Sequence, residues 1–123
     1  MMKLLLIDDD KFLRDMYAIK FTQSGYEVEV ADSSVTALTK IKNTPDFEII
    51  LLDMIMPGMT GIELIQEIKK EFPNLETKFI ILSNQGQEED IIKAKEAGAV
   101  GYIIKAESVP SDVVKKVEEF SKK

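Results

Sequence analysis

Cysteine and histidine are both missing from this 123-residue chain. Without cysteine there is no disulfide, no thiolate nucleophile and no Cys-based zinc site. Without histidine there is no imidazole base, no Ser-His-Asp triad and no HExxH metal site. Any chemistry must therefore use carboxylates, lysines, hydroxyls, backbone groups or a hard metal ion. No apolar run approaches the ~20 residues that a membrane span needs. The opening MMKLLLIDDD lacks the long apolar region and small-residue cleavage site of a signal peptide. The expected location is cytoplasmic. Positive charge is also short: 16 Lys and Arg face 22 Asp and Glu, for a net charge of -6. That balance argues against direct binding of nucleic acid or anionic membranes. Lys115, Lys116, Lys122 and Lys123 are interleaved with Glu118 and Glu119, which reads as a solvated helix face rather than a basic patch.

What remains is an ordinary globular balance, 45% hydrophobic and 31% charged, in a chain long enough for one core. Residues 1–123 are expected to form a single domain. No linker, low-complexity stretch or internal repeat interrupts it. The last helical segment ends three residues before the chain does, so no output domain is expected to follow in this chain.

Five short apolar runs punctuate the sequence: Leu4 to Ile7, Val28 to Ala31, Ile49 to Leu52, Phe79 to Leu82 and Tyr102 to Ile104. Four are nearly continuous, as parallel strands buried on both faces are. The second alternates with Glu27 and Glu29 and reads as an edge strand. Between the runs lie segments of helical period. Lys11 to Ser24 carries Leu13, Met16, Tyr17 and Phe21 and stops at Gly25. Ser33 to Lys42 carries Val35, Leu38 and Ile41; Gly61 to Phe72 carries Ile62, Leu64, Ile65 and Ile68. Glu88 to Ala97 carries Ile91, Ile92 and Ala94, and Ser111 to Phe120 carries Val113, Val114 and Val117. Asp10, Ser33, Thr60 and Ser111 are the expected N-caps. This alternation predicts an α/β fold of (βα)₅ type: a parallel sheet with right-handed crossovers and helices on both faces.

The polar residues fall at the strand ends. Strand one ends in Asp8, Asp9 and Asp10, strand three in Asp53, strand four in Ser83 and strand five in Lys105. In a parallel sheet these ends share one edge, the edge where open α/β sheets bind ligands. Carboxylates ~4 Å apart repel by about 4 kcal/mol at an effective dielectric of 20, so Asp8, Asp9 and Asp53 call for a cation. Hard oxygen ligands suit Mg²⁺, and Lys105 brings a second positive charge. A carboxylate beside Mg²⁺, an ammonium and a hydroxyl is equipped to become an aspartyl phosphate. Taken singly, each residue has a plain structural role: Asp10 as a helix cap, Asp8, Asp9 and Asp53 as loop acids, Ser83 as a turn hydroxyl and Lys105 as surface charge. Their occurrence at successive strand ends is what favours a site.

The segments LLLIDDDKFLR, IILLDMIMPGMTGIEL and FIILSNQGQEEDIIKAKEAGAVGYIIK, with the closing amphipathic helix, resemble the receiver domain of bacterial two-component response regulators, of the single-domain chemotaxis type. The resemblance spans essentially the whole chain. It implies a flavodoxin-like three-layer sandwich with strand order 2-1-3-4-5. It implies phosphorylation of Asp53 by a sensor histidine kinase or histidine phosphotransfer protein, with Mg²⁺ as cofactor. Asp9 and Asp53 would hold the metal with the backbone carbonyl of Ile55, and Asp8 would orient a water in its shell. Ser83 would be the switch hydroxyl, Lys105 the phosphate-binding lysine and Tyr102 the aromatic switch. The product would be a signalling switch in a phosphorelay, assisting its own phosphorylation and dephosphorylation, that binds a downstream protein as a monomer or phosphorylation-dependent dimer. Phe12 and Ile19 lie off the apolar stripe of helix one, and the resemblance implies that they meet the phosphoryl donor.

Three positions depart from the family pattern. Ala106 follows Lys105 where a proline is usual; a cis peptide without Pro costs ~2.5–4 kcal/mol, so a trans bond and a different loop are expected. Asn84 follows the hydroxyl where a smaller residue is common. Ile55 is apolar where many receivers are polar, on the path of hydrolytic water, and Gln85 is placed to hold that water from the other side. Two other readings are a haloacid-dehalogenase-type phosphatase and a receiver-like module that is never phosphorylated. The first wants its nucleophile on strand one, in a motif whose Thr/Val place is here Phe12. Against the second stands the intact acid, hydroxyl and lysine set. A flavodoxin-like FMN site would need a Ser/Thr/Gly-rich loop after strand one, which this sequence lacks.

Overall fold

The computed structural model describes residues 2–84 and 86–122. Gln85, assigned above to hold hydrolytic water, lies outside the described residues, as do Met1 and Lys123. Five strands alternate with five helices: β1 (Lys3–Ile7), α1 (Lys11–Gln23), β2 (Glu27–Ala31), α2 (Ser34–Asn43), β3 (Ile49–Leu52), α3 (Gly61–Glu71), β4 (Lys78–Ser83), α4 (Glu88–Ala97), β5 (Ala99–Ile104) and α5 (Pro110–Ser121). All pairings are parallel, and the strand order is β2-β1-β3-β4-β5. Both expectations hold, including the edge position of the Glu27–Ala31 strand.

Strand side chains alternate between two cores. Leu5, Ile7, Ile50, Leu52, Phe79 and Ile81 pack beneath α2, α3 and α4. Leu4, Leu6, Leu51, Ile80 and Leu82 pack beneath α1 and α5, against Tyr17, Phe21, Val113 and Val117. β1 and β3 are buried on both faces, from Leu4 to Ile7 and from Ile49 to Leu52, which is why they read as unbroken apolar runs. Each fully buried Leu or Ile contributes roughly 1.5–3 kcal/mol of transfer free energy.

Three of the four expected caps form. Asp10 Oδ1 accepts from the Leu13 amide at 3.1 Å, Ser33 caps α2, and Thr60 with Glu63 completes a capping box on α3. Ser111 is not a cap. Val109 is the N-cap residue of α5 and Pro110 opens the helix; proline suits that place because its fixed φ is helical and its missing N–H would be unpaired there anyway. Two apolar positions also face the other way from expectation. Val35 is 72% exposed and Ile92 is 49% exposed. On α2 the inward turn is taken by Ala37 and Ile41, and on α4 Ala94 is the buried residue. Both helices turn an alanine toward the core, and these larger neighbours lie on the outer side. Among the described residues no peptide is cis, and the chain leaves β5 through a single 3₁₀ turn, Lys105–Glu107.

Candidate functional site

The parallel register carries the strand ends to one edge. Ile7 pairs with Leu52, Leu52 with Ile81, and Ser83 with Ile104. The ladder then runs one residue further. The Asp8 amide donates to the Ala31 carbonyl and the Asp53 amide to the Ile7 carbonyl, each at 3.1 Å. Asp8 and Asp53 therefore leave the sheet side by side. Lys105 begins the turn after β5 and reaches across to both: its Nζ lies 2.8 Å from Asp8 Oδ2 and 2.9 Å from Asp53 Oδ2. The three side chains are 7%, 2% and 12% exposed. Burial disfavours the Lys105 charge, but the hydrogen bonds and negative charges of Asp8 and Asp53 outweigh it and raise the ammonium above its ordinary value.

Asp9 completes the acidic group. One carboxylate oxygen from each of Asp8, Asp9 and Asp53 lies within 4.8 Å of the others. Three carboxylates share the single ammonium that bonds to them, so carboxylates outnumber the cations paired with them. The donor set, hard carboxylate oxygens next to open solvent, fits Mg²⁺ rather than a soft metal. The acids are not equivalent. Asp8 is buried and both its oxygens are engaged, Oδ1 by the Asp10 amide at 3.0 Å and Oδ2 by Lys105. Asp9 is exposed. Asp53 Oδ1 accepts a long hydrogen bond from the Ile55 amide, 3.3 Å. Asp10 is confirmed as a helix cap.

On the other flank, Ser83 is 1% exposed and shares a side-chain hydrogen bond with the half-buried Tyr102. Burial and the nearby Asp90 raise the Tyr102 phenol above its ordinary value; the Ser83 bond opposes that, and Asp53 adds a smaller push upward. Ile55, two residues after Asp53, is 56% exposed, and Asn84, directly after Ser83, is exposed.

Two contributors were not singled out from the sequence. Arg14 Nη1 donates to the Asp8 carbonyl at 2.8 Å. Gly61 lies so close to the Asp53 carbonyl that a Cβ would overlap it, and its amide donates to the Met54 carbonyl at 2.7 Å. Only glycine allows α3 to start that near the Asp53 loop. The local signal for Gly61 was its place at the head of α3; a surface-like arginine on α1 gave none.

Comparison with known proteins identifies the family. Residues 4–118 match the family model of the response regulator receiver domain. The chemotaxis protein CheY of Thermotoga maritima is 39% identical over 122 residues, 98% of each chain. The phosphate regulon transcriptional regulatory protein PhoB of Escherichia coli is 30% identical over 116 residues, 94% of this chain but 50% of that protein, so the chain spans about half of such relatives. The solved structure of Vibrio cholerae CheY4 superposes with a TM-score of 0.89 at 29% identity, covering 98% of each chain. The chain belongs to the response regulator receiver domain family of two-component systems. That family consists of signalling switches, and phosphorylation and Mg²⁺ binding are features of it. Among the described residues, no helix is long and apolar enough to cross a membrane.

Proposed function

We propose that this chain is a phosphorylation-operated switch in a phosphorelay, taking a phosphoryl group on Asp53 from a histidine kinase or histidine phosphotransfer protein with Mg²⁺ as cofactor. The observation that carries this reading is the Lys105 ammonium held between Asp8 and Asp53 at 2.8 and 2.9 Å, beside an acidic group still short of positive charge. An Asp53 carboxylate oxygen bonds to phosphorus as the donor's phosphorus–nitrogen bond breaks, and the imidazole nitrogen departs with the electron pair. Asp9, Asp53 and the Ile55 carbonyl would hold the metal, and Asp8, its oxygens already engaged, would orient a water in its shell. Bound Mg²⁺ supplies charge that offsets carboxylate repulsion and the charge on the transferring phosphoryl oxygens. Lys105 moves from the Asp53 carboxylate to a phosphoryl oxygen. Ser83 turns its hydroxyl to another, giving up its bond to Tyr102, and Tyr102 is then free to repack beneath α4.

The chain has no histidine, so a phosphohistidine donor is another protein. Phe12 and Ile19, 76% and 60% exposed on α1, offer that donor an apolar contact. The output is binding of a downstream protein, as a monomer or phosphorylation-dependent dimer, in the cytoplasm, without direct contact to nucleic acid. Incubation with acetyl phosphate and Mg²⁺, followed by intact-protein mass spectrometry, tests the reading. The wild type gains the mass of one phosphoryl group; Asp53→Ala and chelator-treated samples do not. Gain in Asp53→Ala, or gain without a divalent cation, would contradict it.

A further inference from the structure

Arg14 sits on α1 and reaches back six residues to the Asp8 carbonyl. That carbonyl shares a rigid peptide plane with the Asp9 amide. The other polar atoms of Asp8 are also committed, to Ala31 through the backbone, to Asp10 and to Lys105. The strand ladder thus fixes the peptide before Asp8, and Arg14 ties the peptide after it. Asp9 departs from that second plane. Its carboxylate lies within 4.8 Å of those of Asp8 and Asp53, where like charge pushes it outward. Its backbone must hold it there before any cation arrives.

We propose that Arg14 is a positioning residue for the divalent cation: by tying the Asp8–Asp9 peptide it keeps the Asp9 carboxylate beside Asp53. This rests on the metal-dependent reading of the site given above. Electrostatics alone predicts the opposite sign. A guanidinium near the acidic group repels Mg²⁺, so an Arg14 acting only through charge would weaken metal binding, and its removal would tighten it. An arginine serving only as a helix surface residue would leave the affinity unchanged.

Calorimetric titration with MgCl₂ separates these cases, using wild type, Arg14→Met, Arg14→Lys and Asp9→Ala, with melting in EDTA recorded for each. Arg14→Met, which keeps length and loses both donor and charge, is expected to raise the Mg²⁺ Kd about tenfold, the low end of what residues supporting metal ligands contribute. Half-saturation of its phosphorylation by acetyl phosphate moves to higher Mg²⁺. Arg14→Lys, which keeps a charged donor, stays closer to wild type than Arg14→Met. An unchanged or tighter Kd in Arg14→Met overturns the proposal, as does a lower saturated rate at unchanged Kd. Should Arg14→Met prove unfolded in EDTA, Arg14→Gln replaces it with the same expected direction. If Arg14→Met binds normally while Asp9→Ala does not, the positioning role alone fails. If the wild type takes up no Mg²⁺, or Asp9→Ala binds as tightly, the metal site itself fails and Arg14's role with it.

Discussion

The helix beside Asp8 and the helix beside Ser83 are anchored to very different depths. α1 runs for 13 residues, is capped by Asp10 and buries Tyr17 and Phe21; the Phe21 ring meets Tyr26 edge to face at 5.3 Å. α4 has 10 residues, no side-chain cap on Gln87 and one buried residue, Ala94. Its help comes from Glu88, Glu89 and Asp90 in the first turn, favourable at a helix N-terminus, and from Gly98 in the left-handed conformation at its end. Segments with few buried apolar contacts open locally at low free energy. The flank that holds the acids is therefore the stiff one, and the flank next to Ser83 and Tyr102 is the yielding one. The proposed switch needs that division, because the residues proposed to hold the metal must stay in place while the reading surface moves.

The largest expected difference is in packing. Phe21→Ala should destabilise the fold by about 3–5 kcal/mol, the usual range for a buried aromatic. Ile92→Ala, on the outer side of α4, should stay within about 0.5 kcal/mol. Chemical denaturation of both variants measures this, and comparable losses would erase the contrast between the two helices.

Much of the fold was legible in the sequence, and the reasons are local. The unbroken runs of β1 and β3, the Asp10 and Thr60 caps and the stripe of Tyr17 and Phe21 are dictated by periodicity and capping chemistry. The strand-end acids, Ser83 and Lys105 could be placed because a parallel sheet delivers its strand ends to one edge. The failures sit where tertiary packing decides. Val35 and Ile92 fit a helical stripe, but the helices turn the alanines at 37 and 94 toward the core. Ser111 had the chemistry of a cap, but Pro110 had already opened the helix. Arg14 could not be read, because nothing in its neighbourhood shows that its guanidinium returns to the Asp8 carbonyl.

The charge lock on the stiff flank comes next. Lys105→Met leaves Asp8, 1% exposed, without its cation. Breaking one partner of a buried pair typically costs about 3–5 kcal/mol. Because the folded-state pKa of Lys105 is raised, its contribution is fully present below the unfolded value near 10.4 and is lost as pH rises through the folded value. The tyrosines at 17, 26 and 102 are raised as well, so they lose stability in the same direction; Tyr26 and Tyr102 do so equally in both proteins, while Tyr17, which the Lys105 charge partly holds down, adds a smaller opposing contribution in Lys105→Met. The difference in unfolding free energy between wild type and Lys105→Met should hold steady from neutral pH to about 9 and shrink above it. A difference that grows with alkalinity would contradict the pairing.

A smaller effect is expected at the rim. The Ile55 side chain, 56% exposed, offers no hydrogen bond to a water attacking the phosphoryl group, and alignment governs such transfers. With the donor removed and Mg²⁺ present, Ile55→Asn should lose its phosphate mass faster than wild type, at unchanged Mg²⁺ affinity. Equal or slower decay would leave Ile55 with only its backbone contribution.

On the proposed reading, a phosphoryl group on Asp53 acts through Ser83 and Tyr102 on the yielding flank while the stiff flank stays still. Amide NMR spectra recorded with and without beryllofluoride and Mg²⁺, which together mimic the phosphorylated state, test it directly. Shifts are expected at Asp9, Asp53 and Ser83 that continue through Tyr102 into α4, with the amides around Tyr17 and Phe21 nearly unmoved. Shifts confined to the immediate surroundings of Asp53, or as large in the middle of α1 as in α4, would contradict it.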